Sequence, residues 1–235
     1  MEHPGKAFYR LSRLKPGDEL PMRKLPAAKV YATPLETQAL PPPRLEGGAP
    51  LWRVLARLAP RLPEVGSSLS LAEVSQLLMA LASRNSEALG QKDQGRLYPS
   101  AGGAYPLEAY LVVQEVQGVF PGVYHYFPKE HQLFQIAPRP DFLRLKAALL
   151  DLPLEKAAAL LVLTLVPERS AALFGLRGYR YALLEAGYAA GLLLLAATGL
   201  GVAAYPAETF YDEEVGQVLG LKEGEYTGLV ILLGR

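Results

Sequence analysis

The segment with the clearest potential for chemistry is P-S-A-G-G, residues 99–103. It begins with the proline of one Tyr-Pro pair, and a second Tyr-Pro pair follows at 105–106. Glycine adopts positive φ angles without steric cost and lets another group approach the backbone closely. Successive N–H groups in such a turn form a concavity that binds anions or the polar edge of a cofactor. The spacing alone also allows an ordinary loop that precedes a strand.

Two partial motifs, and the absence of a third motif, argue against common enzyme classes. Ser100 and Gly102 supply half of a G-x-S-x-G elbow, but Tyr98 fills the first position and the serine precedes a strand, which argues against a serine hydrolase. The GLGVAA segment at 199–204 has dinucleotide-binding spacing, yet it ends a predicted helix, so a helix C-cap is the better interpretation. The sequence contains no Walker-type loop.

Composition restricts the remaining function classes. The chain has no cysteine, which excludes disulfides, iron–sulfur clusters and cysteine nucleophiles, and its three histidines do not have helical metal-site spacing. Lys and Arg number 24 against 23 Asp and Glu, which argues against nucleic acid or an anionic membrane as the main partner. The N-terminus lacks an apolar signal region, so we expect a cytoplasmic protein.

The elements that would position the P-S-A-G-G turn form one α+β domain, residues 51–235, preceded by an extended Pro-rich arm, residues 1–50. Ser70 and Glu73 form a capping box at the start of an amphipathic helix, and a polar loop is predicted over 84–95. Strands are predicted at 107–116, 122–127, 132–136, 157–167 and 227–234, and helices at 51–58, 141–152, 178–199 and 212–220.

The helix predicted at 178–199 is apolar on nearly all sides and is therefore expected to be buried all round. Its apolar core at 186–201 is shorter than a membrane span of roughly 20 residues and follows Arg177, Arg180 and Glu185, so we expect no membrane insertion. The neighbour that buries it is either the same helix in a second subunit or the rest of a monomer.

Three segments together resemble the SagB-type dehydrogenase branch of the nitroreductase superfamily, which includes azoline oxidases of thiazole- and oxazole-modified peptide biosynthesis. They are RLYPSAGGAYPLEAYLVV, GVYHYF and RGYRYALLEAGYAAGLLLLAATGLG. The resemblance covers nearly the whole chain. It implies a nitroreductase-like α+β fold with a mixed central sheet flanked by helices, a homodimer, and FMN at the subunit interface. It also implies hydride transfer to or from a small-molecule or peptide substrate.

The resemblance also implies which residues contact FMN. In RLAPR, Arg57 and Arg61 match the family's phosphate-binding R-x-S-x-R, with Ala59 replacing the serine. A planar guanidinium suits a phosphate because it donates two hydrogen bonds at once, although two solvated surface arginines remain an alternative. The full set of expected cofactor contacts is Arg57, Arg61, Pro99, Ser100, Ala101, Gly102, Gly103, Leu200 and Gly201.

The chain departs from the family where protons are handled. Azoline oxidases carry a Lys-Tyr pair where this chain has Leu173 and Phe174, and neither of these side chains can transfer a proton. Tyr188, Gly191 and Leu192 stand where the family has His and Gln-Asn. Two functions stay open: an FMN-dependent nitroreductase-like oxidoreductase with an unidentified organic substrate, or a degenerate, non-catalytic member that acts as a dimeric binding or scaffold protein.

Overall fold

The computed structural model describes residues 2–86, 89, 95–150, 152–207 and 209–235. Within these residues the helices are α1 Pro4–Leu11, α2 Leu51–Leu55, α3 Leu71–Leu78, α4 Phe142–Ala148, α5 Glu168–Phe174, α6 Arg177–Leu200 and α7 Asp212–Leu219. Short 3₁₀ turns occur at Met79–Leu81, Ala101–Gly103 and Leu154–Lys156. The polar loop predicted over 84–95 falls largely outside the described residues.

The strands are β1 Glu36–Ala39, β2 Leu69–Ser70, β3 Leu107–Val113, β4 Val116–Gln117, β5 Gly122–Phe127, β6 Gln132–Ala137, β7 Ala159–Leu165, β8 Ala203–Ala207 and β9 Tyr226–Gly234. Seven of those strands form one sheet in the order β1-β6-β5-β3-β7-β9-β8. The β5–β6 hairpin and the buried strand β7 confirm the sequence predictions. Strand β8 was not predicted.

The direction of the strands corrects one expectation. A mixed central sheet was expected, but every described pair in the seven-stranded sheet is antiparallel. The parallel pair, β2 with β4, belongs to a separate two-stranded sheet. Strand direction depends on the end of the sheet to which each connection returns, and the order of helices and strands in a sequence does not specify that end.

Hydrophobic residues pack against both faces of the sheet. On one face, alternate β3 side chains such as Leu111 contact α3 and α6. On the other face, Tyr110 and Val112 contact α4 and α7. Because successive strand residues point to opposite faces, β3 and β7 are apolar at nearly every position, and all seven residues of each are buried. Two helical layers thus enclose the sheet.

The capping box is confirmed at the start of α3. The Ser70 side chain accepts a hydrogen bond from the Glu73 backbone N–H, and the Glu73 carboxylate accepts one from the Ser70 backbone N–H. The N-terminal arm lies against the domain, and its strand β1 pairs with β6 at the edge of the sheet. The arm also contains helix α1, which the sequence did not predict.

Helix α6 is confirmed, and it ends at Gly201 in the left-handed conformation, as the C-cap interpretation of GLGVAA predicts. All-round burial, however, is not achieved within one chain. Leu183, Leu184 and Tyr188 are each about half exposed on one face. Among the described residues, α6 is also long and apolar enough to cross a membrane, with 28% of its apolar window buried inside the chain. Its outward apolar face is therefore left uncovered by the part of the chain that the structure describes.

Candidate functional site

The P-S-A-G-G turn adopts the conformation that its glycines suggested. Gly102 and Gly103 have φ angles of +60° and +65°, in the left-handed region that glycine tolerates. The Ser100 side-chain oxygen accepts a hydrogen bond of 2.8 Å from the Tyr105 backbone N–H, which closes the turn. Pro99, Gly102 and Gly103 are exposed, so the turn presents its backbone to the surface.

The end of α5 forms a wall beside this turn. A Cβ atom placed on Gly102 would lie 3.0 Å from Leu173 Cδ1 and 3.0 Å from Phe174 Cζ. The Phe174 ring also meets Tyr181 edge to face, with ring centroids 5.1 Å apart. The structure thus brings the turn together with Leu173 and Phe174, the two positions where the family's Lys-Tyr pair was expected, and the contact is apolar.

A carboxyl group is buried beneath the turn. Glu185 on α6 is 2% exposed, and neither carboxyl oxygen has a hydrogen-bond partner among the described residues. Burial raises the pKa of Glu185 to about 7, against the opposing influence of the nearby Ser100 hydroxyl and of the Arg96 and Arg169 charges. Near neutral pH this carboxyl group is therefore poised between its neutral and ionised forms.

Two buried arginines, Arg96 and Arg169, bind the segment that follows the turn, and the sequence reasoning missed both. Arg96 donates to the Leu107 carbonyl oxygen at 3.1 Å, and its backbone N–H donates to the Tyr105 hydroxyl at 3.0 Å. Arg169 donates to the Tyr105 carbonyl oxygen at 3.0 Å and forms an ion pair with Glu108. An Arg two residues before a Tyr-Pro pair was the available signal, but nothing in the sequence distinguishes it from a surface arginine.

The charges around Glu108 shift its titration strongly. Burial alone would raise the pKa of Glu108, but its hydrogen bond to His125, together with the charges of His125, Arg169 and Arg96, lowers the pKa to about 2. His125 Nε2 lies 2.8 Å from Glu108 Oε2, and both side chains are fully buried. This carboxylate therefore stays ionised and anchors the arginine on α5.

The expected phosphate-binding arginines lie at the opposite end of α6. Arg61 donates through its Nη2 atom to the Gly201 carbonyl oxygen at 3.3 Å, and its backbone N–H donates to the Ala204 carbonyl oxygen at 3.0 Å. Arg57 follows α2 and is exposed. The structure thus brings together Arg61 and Gly201, which the resemblance had assigned separately to the cofactor.

An apolar cavity of about 700 Å³ opens next to these residues. Leu200, which precedes Gly201, lines it together with Val54 on α2 and with Leu192 and Leu195 on α6. Arg44 and Glu46 of the N-terminal arm also line this cavity. The combination is a largely apolar chamber with guanidinium groups nearby, which suits a flat aromatic ligand with an anionic tail.

Within one chain the two halves of the expected site do not meet. Glu185 lies beneath the turn, and Gly201 lies beside Arg61. The two residues are 16 positions apart along α6 and its C-cap. At about 1.5 Å of rise per residue, this separation is roughly 24 Å. The turn at residues 99–103 and the arginines at 57 and 61 are therefore at opposite ends of the exposed apolar face of α6.

Comparison with known proteins assigns the fold. The family model described as the Nitroreductase family matches residues 66–235. The chain belongs to the nitroreductase family. A protein of Methanocaldococcus jannaschii named as a candidate nitroreductase is 36% identical over 172 residues, which cover 72% of this chain and 82% of that protein. The family match supports the nitroreductase-like α+β fold.

Solved structures of nitroreductase-like proteins share this architecture. A candidate nitroreductase from Anabaena variabilis superposes with a TM-score of 0.71 at 26% identity, covering 85% of this chain and 41% of that one. This chain thus spans less than half of that protein. A chain of the E. coli microcin synthetase McbBCD complex, with truncated pro-MccB17 bound, gives a TM-score of 0.63 at 24% identity over 88% of this chain and 84% of that chain. The second likeness concerns the fold alone.

Proposed function

We propose that this nitroreductase-family chain is an FMN-dependent oxidoreductase that works as a homodimer. The observation that carries the proposal is the contact between Arg61 and Gly201, the residue that follows Leu200 in the cavity wall. Arg61 supplies a positive charge that suits a phosphate group, and Gly201 ends α6 beside the apolar cavity. This cavity suits an aromatic ring. When bound, FMN would supply the hydride-transfer chemistry, and the protein would supply position and electrostatics.

The residues present fit this cofactor. Among the described residues, the Arg61 side chain donates one N–H group to Gly201, so most of its five donors remain for phosphate oxygens. Arg57 adds a second exposed positive charge four positions earlier. The cavity walls are mainly leucine, valine and alanine side chains, which exclude water from a bound ring. A charge-assisted phosphate contact is worth about 1.5–3 kcal/mol.

A two-fold dimer would complete the site. The outward face of α6 is centred near Tyr188, midway between the residues at 177 and 200, and includes the exposed Leu184 and the small residues Gly187 and Gly191. An isologous contact pairs this surface with itself, and a two-fold axis perpendicular to α6 near Tyr188 would make the two copies of the helix antiparallel. The turn of one subunit would then approach Arg61, Gly201 and the cavity of the other. The gap of roughly 24 Å within one chain supports this arrangement.

The groups beside the turn define what the protein itself would do. The backbone N–H groups of Ala101 and Gly102 would bind the polar edge of the flavin, because that of Gly103 already donates to the Ser100 carbonyl oxygen. Phe174 would bind an apolar substrate surface, and Leu173, which is 2% exposed, would exclude water by packing behind the turn. Neither side chain can accept or donate a proton. We propose a small organic or peptide substrate, and we place the chain near the SagB-type branch without azoline oxidation as its activity. The likeness to the E. coli synthetase fold agrees with this placement.

Reconstitution with FMN tests the proposal. The purified protein is titrated with FMN while flavin fluorescence quenching and visible absorbance are recorded, and oxidation of NADH or NADPH is then followed with a quinone or nitroaromatic acceptor. We expect one FMN per subunit and acceptor-dependent oxidation. A dimer that is colourless once unbound FMN has been removed would contradict this function and would support the alternative, a scaffold role for a degenerate family member.

A further inference from the structure

The carbonyl oxygen of Ala27, in the N-terminal arm, is a shared acceptor for the two buried arginines at the turn. Arg96 Nη2 donates to it at 2.7 Å, and Arg169 Nη1 approaches it at 3.5 Å. Both arginines are less than a tenth exposed. A buried guanidinium needs partners for its donors, because an unpaired buried donor is costly. The arm therefore completes the coordination of both side chains.

Those same arginines contact the backbone on the far side of the turn. Arg96 binds the Leu107 carbonyl oxygen and Arg169 binds the Tyr105 carbonyl oxygen, at 3.1 and 3.0 Å. The Arg96 guanidinium also lies over the Tyr105 ring, 5.0 Å from its centroid. Each arginine thus connects the arm to the segment that follows residues 99–103. A movement of Ala27 would leave donors of both arginines without their partner.

Lys29 fixes this part of the arm to the sheet. Its backbone N–H donates to Glu108 Oε1 at 2.7 Å, and its ammonium group donates to the Tyr110 hydroxyl at 2.8 Å. The same ammonium group forms an ion pair with Glu225, whose carboxylate also accepts a hydrogen bond from Thr164. Glu225 is 8% exposed, so its charge depends on Lys29 for compensation.

The arm also contacts the wall beside the turn. The backbone N–H groups of Met22 and Arg23 donate to the carbonyl oxygens of Leu173 and Ala172, at 3.3 and 2.8 Å. Leu173 in turn packs on Gly102. Two separate routes therefore lead from the arm to the turn, one through the buried arginines and one through the end of α5.

We propose that residues 22–29 are a positioning segment for the turn at residues 99–103, with Lys29 as the anchor that keeps this segment docked. Undocking would release Ala27 from Arg96 and Arg169 and would loosen the turn without unfolding the sheet. The consequence for FMN binding rests on the proposed function. The effect on the conformation of the turn does not rest on the proposed function, because all of these contacts form within the chain without a ligand.

Hydrogen exchange on the ligand-free protein tests this role. The variants are Lys29→Met, the charge-retaining Lys29→Arg, and Lys24→Met as a matched control at an exposed position of the same arm. In Lys29→Met we expect amide exchange to increase at least about tenfold, equivalent to roughly 1.4 kcal/mol, in peptides covering 22–29 and 99–105. Exchange in β7 should stay unchanged. Lys29→Arg should restore much of the protection, and Lys24→Met should match wild type.

Two outcomes would overturn the proposal. Faster exchange in the arm with wild-type exchange in the turn would show that the arm does not position it. Unchanged exchange in both would show that Lys29 is not the anchor. If Lys29→Met does not fold, Lys29→Gln replaces it, because glutamine keeps a hydrogen-bond donor for Tyr110. The same two exchange results in this variant would overturn the proposal. A parallel FMN titration should show weaker binding by Lys29→Met. Absence of FMN binding in wild type would refute the proposed function and leave the exchange result intact.

Discussion

Arg61 Nη2 lies 3.3 Å from the carbonyl oxygen of Gly201, although 140 positions separate the two residues. The guanidinium thereby caps the carbonyl-rich end of α6, where the helix dipole favours a positive charge. Arg61 is otherwise exposed, so the rest of its guanidinium is accessible from solvent. Arg61 thus stabilises the end of α6 and is also the residue proposed to bind the phosphate.

Replacing either arginine should weaken FMN binding without unfolding the protein. Loss of a charge-assisted contact costs about 1.5–3 kcal/mol, so Arg57→Ala and Arg61→Ala should raise the Kd for FMN roughly 10- to 150-fold. Arg53→Ala, on the preceding turn of α2, is the matched control. Fluorescence titration measures all three. Wild-type affinity in both Arg57 and Arg61 variants would place the phosphate elsewhere.

The turn should be sensitive to a side chain at Gly103. Its φ of +65° makes alanine unfavourable by about 1–2 kcal/mol, although a Cβ atom there would meet little else. Gly118 has a φ of +77° with open space around it, and Gly118→Ala should carry the same backbone penalty. We expect both variants to lose similar stability in urea, while only Gly103→Ala, or more strongly Gly103→Val, loses FMN affinity. Equal FMN affinities for the two alanine variants would argue against contact between the turn and the flavin.

The exposed face of α6 should mediate dimer formation. Leu184 is 53% exposed within one chain, and a buried arginine at a subunit interface lacks a partner for its charge. Leu184→Arg should therefore give a folded monomer by analytical ultracentrifugation and circular dichroism. Leu143→Arg, on α4 and even more exposed, serves as the control and should leave the dimer intact. A wild-type protein that sediments as a stable monomer would contradict the composite site.

Glu185 should make stability fall as pH rises. Burial raises its pKa in the folded protein to about 7 from an ordinary value of 4.5, so its contribution is fully present below 4.5 and is lost as pH rises through about 7. Each pKa unit corresponds to about 1.4 kcal/mol, so the rise from 4.5 to about 7 amounts to about 3.5 kcal/mol at most. Glu185→Gln should therefore become more stable relative to wild type between pH 5 and pH 8 in urea unfolding. A stability difference that is constant over this range would rule out the shifted carboxyl group.

The protein should turn over thiazoline peptides poorly. Leu173 and Phe174 occupy the positions of the Lys-Tyr pair of azoline oxidases, and loss of general acid–base help costs about 10²- to 10⁴-fold in rate. Mass spectrometry of a thiazoline peptide incubated with the FMN-loaded protein measures the two-hydrogen loss. A quinone reduction assay on the same preparation controls for active flavin. Rapid thiazole formation would show that another residue, such as Tyr179 or Tyr188, moves the proton.

Local features of the fold followed from the sequence, whereas the long-range contacts did not. The capping box at Ser70, the positive φ angles at Gly102 and Gly103, and the helix end at Gly201 each depend on a few neighbouring residues. Such features have short sequence signatures because their energetic causes are local.

The roles of Arg96 and Arg169 lacked any such signature. Their shared acceptor, the Ala27 carbonyl oxygen, lies 69 and 142 positions away from them, and every residue type carries a carbonyl group. The opposite placement of the turn and Arg61 along α6 was also unpredictable, because only the folded helix converts a sequence interval into a distance. The resemblance supplied candidate residues, and the structure supplied their geometry.

The pairing of β1 with β6 bears on how this protein can be produced in pieces. The family match begins at residue 66, but Glu36–Ala39 covers the outer hydrogen-bonding edge of β6. A fragment trimmed to residues 66–235 would expose that row of backbone N–H and C=O groups as a template for other chains. It would also remove Lys29 from the buried carboxylate of Glu225. A fragment trimmed to the family boundary should therefore aggregate through pairing of its exposed β6 edges.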